Sequence, residues 1–184
     1  MSEILVLYAS THGHTGRIAT GIGLALERAG ATAHVRCIDD AAGVAPWRYD
    51  AVVVGASIHA GKHQRRVVEW ARRHADALNA MPSAFFSVSL TAAEDTAEAA
   101  VTVRRLIDEF TEATGWRPGL TRSFAGALQY REYGIFTRFF MKMLMARESH
   151  PTDTRRDYDY TDWAAVERFG AECAGLVPLP TGVT

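Results

Sequence analysis

Three short stretches are apolar with no polar alternation: residues 4–9 (Ile-Leu-Val-Leu-Tyr-Ala), 51–56 (Ala-Val-Val-Val-Gly-Ala) and 84–88 (Ala-Phe-Phe-Ser-Val). A strand with one face in water alternates apolar and polar side chains, and a strand covered on both faces does not. These runs therefore belong to a parallel sheet with helices packed on each side. Residues 32–38 and 123–130 carry weaker strand patterns. Parallel neighbours need crossover connections, and the intervening segments supply them as amphipathic helices.

Ile18, Ile22, Ala25 and Ala29 form one apolar stripe, closed by Gly30. Val67, Ala71, Ala75 and Leu78 form a second, ended before Pro82. A third carries Val103, Leu106, Ile107 and Phe110, with Thr91 and Glu94 spaced as a capping box upstream and Gly115 at its end. A last helix runs from about Asp162 through Val166, Phe169 and Cys173 towards Pro178. Five strands alternating with helices predict an α/β doubly wound sheet in the flavodoxin-like order 2-1-3-4-5. At 184 residues, 1–184 is expected to be a single domain.

One segment breaks the alternation. Between the fifth strand and the final helix, residues 131–160 are far longer than the roughly 2–6 residues a connection requires. Ile135, Phe136, Phe139, Phe140, Met143 and Leu144 make an apolar stripe at helical spacing. Residues 131–156 hold six Lys and Arg against three acids, a local charge of +3, while the whole chain carries -1. Two roles suit such an insertion: a helix packed on the domain edge, or a functional helix that makes a peripheral membrane contact through 131–156 or lids the ligand site.

The near-neutral charge argues against a dedicated nucleic-acid binder. Cys37 and Cys173 are the two cysteines, in no C-x-x-C pattern, which points to a reducing compartment and away from a cysteine zinc site. With no leader-like or membrane-spanning stretch, the expected location is cytoplasmic, with peripheral attachment at the inner face of the cell membrane left open. A homo-oligomer is compatible with this composition.

In an open parallel sheet, ligands bind beyond the carboxyl ends of strands where strand order reverses. The loop after the first strand reads Ser10-Thr11-His12-Gly13-His14-Thr15-Gly16 and enters a helix directly. Glycines and hydroxyl residues let backbone N–H groups close around an anion, and the helix start adds partial positive charge. The loop itself contains no Lys or Arg, and it suits a phosphate held without cationic neighbours. Gly55 to Gly61-Lys62 fails as a P-loop, because five residues separate the glycines and His63 replaces the Mg²⁺-binding hydroxyl. His12, His14, His59 and His63 converge on the sheet top in this reading, but no helical His pair or nearby carboxylate supports a metal, and none is expected.

The Ser10–Thr15 loop resembles the [ST]-x-[ST]-G-x-T phosphate loop of flavodoxin-like FMN proteins. Further blocks are more specific: Val53-Val54-Gly55-Ala56-Ser57-Ile58, Met81-Pro82-Ser83-Ala84-Phe85-Phe86-Ser87-Val88-Ser89-Leu90, Ala125-Gly126-Ala127-Leu128-Gln129-Tyr130 and Tyr160-Thr161-Asp162-Trp163. Together they resemble the flavodoxin-fold, menaquinone-dependent protoporphyrinogen IX dehydrogenase family over nearly the whole chain, insertion included. The resemblance implies one FMN and six-electron oxidation of protoporphyrinogen IX to protoporphyrin IX, with electrons passed to a quinone. It implies that Ser10, Thr11, His12, Gly13, His14 and Thr15 hold the FMN phosphate. Ala56, Ser57, Ile58 and His59, with Ser89, Leu90 and Thr91, would flank the isoalloxazine ring. Residues 92–100 are acidic, a departure from the basic stretch of the family. Neither 57–63 nor 87–96 contains an aromatic residue, unlike the flavin-sandwiching loops of electron-carrier flavodoxins, so an enzyme is expected over a carrier, and an FMN-dependent NAD(P)H:quinone reductase stands as the alternative enzyme. No side chain is singled out as a general base.

Overall fold

A computed structural model describes residues 1–11, 13–41, 43–128 and 158–177. Strands β1 (Glu3–Ala9), β2 (Thr32–Cys37), β3 (Ala51–His59), β5 (Ser83–Ser89) and β6 (Leu120–Ala125) form a parallel sheet in the order β2-β1-β3-β5-β6. Counting only these five, the order is the expected 2-1-3-4-5. A two-residue strand β4 (Lys62–His63) folds back antiparallel on the end of β3. Its turn uses Ala60 at φ 49° and Gly61 at φ 74°, the paired left-handed conformation of a tight hairpin.

Helices cover both faces. Ile4 and Val6 point to one side, against Ile18, Ile22 and Leu26 of α1 (His14–Arg28) and Val166, Phe169 and Cys173 of α5 (Trp163–Ala174). Leu5 and Leu7 point to the other, against α2 (Arg65–Arg73), α3 (Ala75–Asn79) and α4 (Ala97–Thr114). There Phe85 stacks on Phe110 at 4.1 Å, with the fully buried Trp116 edge-on to both. Every one of the three non-alternating runs thus feeds two cores, which is why none alternates.

Several boundaries differ from expectation. The α1 stripe closes on Leu26, while Ala29 lies past the helix and is exposed. The second helix is two, because His74 (φ -110°, ψ 13°) leaves helical geometry between α2 and α3. Thr91 and Glu94 do not cap α4. Residues Thr91–Ala93 form a separate 3-10 turn, and Thr96 Oγ1 accepts the Ala99 N–H at 3.1 Å instead. The fifth strand starts at Leu120, three residues before the 123–130 pattern suggested, and β7 (Ala127–Leu128) leaves its edge.

β7 pairs antiparallel with β8 (Tyr158–Asp159). That short ladder brings the two ends of segment 129–157 together. The 131–156 stripe lies within this segment, outside the described residues.

Candidate functional site

β1 has β2 on one side and β3 on the other, so the chain reverses its direction of travel across the sheet at β1. The carboxyl tips of β1, β3 and β5 are adjacent there: Ala9 registers with Ala56, and Ser57 with Val88. This is where an open α/β sheet places its ligand.

The loop after β1 enters α1 through Gly13, which sits at φ 81° in the left-handed region and serves as N-cap. Gly13 supplies no side-chain cap, and no acid occupies the first turn of α1. Its first N–H groups therefore face the loop with a positive end and no competing carboxylate from their own helix. This donor set, with the hydroxyls of Ser10, Thr11 and Thr15, fits a phosphate. His12 lies outside the described residues.

His14 and Thr15 are buried in the first turn. The His14 ring turns towards α5: Nε2 lies 2.7 Å from Thr161 Oγ1, whose own proton goes to the Ala125 carbonyl at 2.9 Å. Thr161 must therefore accept from His14, and Nδ1 keeps a lone pair with no hydrogen-bond partner among the described residues. Burial lowers the His14 pKa and outweighs the nearby Asp159 carboxylate, so the ring is neutral. Asp159 in turn pairs with Arg17 at 3.4 Å. Burial works to raise its pKa, but the hydrogen bond from the Thr161 backbone N–H at 3.0 Å and the Arg17 guanidinium prevail and lower it. The foot of the insertion is thus tied to the start of α1.

Ala56, Ser57, Ile58 and His59 are the last four residues of β3, not a loop after it. Ala56 is fully buried in the α2-side core, whereas His59 is exposed at the tip. Ser57 Oγ stands 3.2 Å from His59 Nε2. On the neighbouring strand, Ser89 Oγ accepts the Ala92 N–H at 3.2 Å and shapes the turn through Leu90 and Thr91.

Of the four histidines, the three among the described residues do not converge, and His12 lies outside them. His14 faces Thr161, and His59 faces Ser57. His63 is buried between Phe85 and Phe110, with Nε2 2.9 Å from Ser87 Oγ. Burial pushes its pKa down to about 4. Among the described residues no group of three His, Cys, Asp or Glu side chains is placed to hold a metal ion.

Two residues went unnoticed in the sequence. Gln64 Nε2 donates to Thr11 Oγ1 at 2.8 Å and to Ser57 Oγ at 2.9 Å, joining the β1 loop to the β3 tip. Arg66 donates to the Ser10 carbonyl at 3.0 Å and pairs with Asp39. The anion loop therefore does have a cationic neighbour, contrary to expectation. It comes from α2, some fifty residues downstream of the loop (|i−j| 56), and no local motif signals it.

A flavodoxin-domain family profile matches residues 5–155. The chain is 36% identical over 179 residues to the protoporphyrinogen IX dehydrogenase (quinone) of Escherichia coli (strain K12), covering 97% of this chain and 98% of that protein. It is 38% identical over 181 residues to the like-named protein of Leishmania major, covering 95% and 75% respectively. Among solved structures, a flavodoxin from the Archaea aligns with a TM-score of 0.54 at 21% identity, over 95% of this chain and 98% of that one. Oxidised flavodoxin 1 from Bacillus cereus aligns with a TM-score of 0.52 at 18% identity, over the same shares. These two structures speak for the fold alone. With the sheet order, the switch-point loop and a near-full-length match all in agreement, the chain belongs to the flavodoxin-domain protoporphyrinogen IX dehydrogenase (quinone) family.

Proposed function

We propose that this protein is an FMN-dependent oxidoreductase that converts protoporphyrinogen IX to protoporphyrin IX and hands the electrons to a quinone. The observation that carries the reading is the identity to protoporphyrinogen IX dehydrogenases (quinone) along nearly the whole chain. The flavodoxin domain supports a flavin. The short Ser10–Gly16 loop at the start of α1 suits a single phosphate, which favours FMN over FAD.

When bound, the flavin supplies the two-electron redox chemistry that no side chain here offers. The protein's own residues bind and orient. The α1 N–H groups with Ser10, Thr11 and Thr15 take the phosphate, and the tips of β3 and β5 border the ring. Residues 57–63 and 87–96 contain no aromatic side chain, so those tips leave a ring face open to a flat organic substrate. Among the described residues no helix is long and apolar enough to cross a membrane. On this reading the protein works in the cytoplasm at the inner face of the membrane, reaching its lipid-soluble acceptor through 131–156.

Mass spectrometry of the released cofactor is expected to show FMN. Porphyrin fluorescence should then rise when flavin-loaded protein meets protoporphyrinogen IX and a menaquinone analogue, and should stay low without the quinone under anaerobic conditions. FAD in place of FMN, or flavin-loaded protein that turns over NADPH but not the porphyrinogen, overturns the reading.

A further inference from the structure

Gln64 stands between β4 and α2, outside every sequence block that carries the family resemblance. Its amide is satisfied on both ends. Oε1 accepts from Arg66 Nε at 3.4 Å and Nη2 at 3.3 Å, while Nε2 faces Thr11 and Ser57. A guanidinium only donates, so the amide oxygen has to face Arg66 and the nitrogen has to face the two hydroxyls. Arg66 is itself held by Asp39 and the Ser10 carbonyl, which removes the freedom of the amide to flip.

Proton bookkeeping then settles the polarity of both hydroxyls. An amide NH₂ only donates, so Thr11 Oγ1 and Ser57 Oγ accept from Gln64, and each must give its own proton elsewhere. For Ser57, His59 Nε2 at 3.2 Å takes that proton in the tautomer that carries its own proton on Nδ1. Thr11 lies in the anion loop, where its proton is available to a ligand beside the α1 N-terminus.

We propose that Gln64 is a positioning residue of the cofactor site: it fixes Thr11 as a hydrogen-bond donor towards the flavin phosphate and ties the phosphate loop to the β3 tip. This rests on the flavin reading above. A preset donor reaches a dianion without first breaking a competing hydrogen bond, and hydrogen bonds to charged groups are the stronger kind.

The test is titration of the apo-protein with FMN and with riboflavin, which lacks the phosphate. Gln64→Met keeps the side-chain length and removes the donor. It should weaken FMN binding on the order of tenfold and riboflavin binding by about twofold, because the lost bond is to the charged group. In a Thr11→Val background the same change should add no more than about twofold, since the residue it acts through is gone. Thermal unfolding checks that each variant is folded. Gln64→Leu, which removes the donor without adding charge, should likewise hurt FMN more than riboflavin and serves if the Met variant does not fold. Equal losses for the two ligands, no loss, or an undiminished loss in the Thr11→Val background overturns the proposal. Wild-type protein that takes up no flavin refutes the flavin reading and this role with it, whereas normal wild-type uptake with insensitive variants removes the Gln64 role alone.

Discussion

His63 shows how far burial overrides a residue type's usual behaviour. Enclosed by Phe85 and Phe110 and bonded to Ser87, it is held neutral with a pKa of about 4, against 6.5 for the free side chain. The unfolded chain thus binds a proton between pH 6.5 and 4 that the native state refuses. The sign follows: this contribution is intact above pH 6.5 and is lost as pH falls towards 4. The shift corresponds to a loss on the order of 3 kcal/mol across that window. His14, whose pKa burial also lowers, acts in the same direction. Urea unfolding at pH 7 and pH 5 should show the drop, and His63→Met should flatten much of it. An unchanged pH dependence in that variant would assign the effect elsewhere. Sequence alone offered His63 as a polar loop residue beside the site, since nothing in Gly61-Lys62-His63-Gln64 announces that the ring turns into the core while Gln64 turns to the ligand side.

Among the elements, α1 and α5 pack directly against each other on their side of the sheet. Gly170 of α5 allows it: a Cβ there would come within 2.5 Å of Ala25 Cβ and 2.9 Å of the Ile22 carbonyl of α1. The obstruction includes backbone, so no side-chain rotation relieves it. Gly170→Ala should therefore destabilise the fold by about 1–3 kcal/mol despite alanine's better helix propensity, a cost read as a lowered midpoint in chemical unfolding. Because α1 also presents the proposed phosphate site and is tied to the insertion foot through His14 and Asp159, the variant should loosen flavin binding as well. Helix stripes and strand runs were readable here because apolar periodicity reports which face is buried. The α4 cap was not, since Thr96 and Thr91 look alike in sequence and only the path of the chain after β5 selects between them. The break at His74 was hidden for a related reason: the apolar spacing continues through it while the backbone does not.

For the whole molecule, the β7–β8 ladder places the foot of the 131–156 insertion beside α1. On the proposed function, replacing 131–157 with a short Gly/Ser bridge should leave a folded protein that keeps its flavin but loses quinone-linked activity and the proposed binding to anionic liposomes. Full retention of both would show that the insertion serves neither, and a collapsed fold would make it a packing element. Fold class, strand order and the family were legible in the sequence itself: unbroken apolar runs and helix stripes rest on neighbours within one element, their alternation along the chain gave the order, and the family followed from blocks of consecutive residues. The Gln64 bridge, the Arg66 contact behind Ser10, the inward turn of His63 and the His14–Thr161 tie were decided only by the tertiary structure. Each joins residues from different elements, from Gln64 and Ser57 seven positions apart to His14 and Thr161 at 147. Such contacts exist only once the sheet has set its strand tips side by side, and hydrogen bonding, unlike hydrophobic periodicity, leaves no repeating trace along the chain.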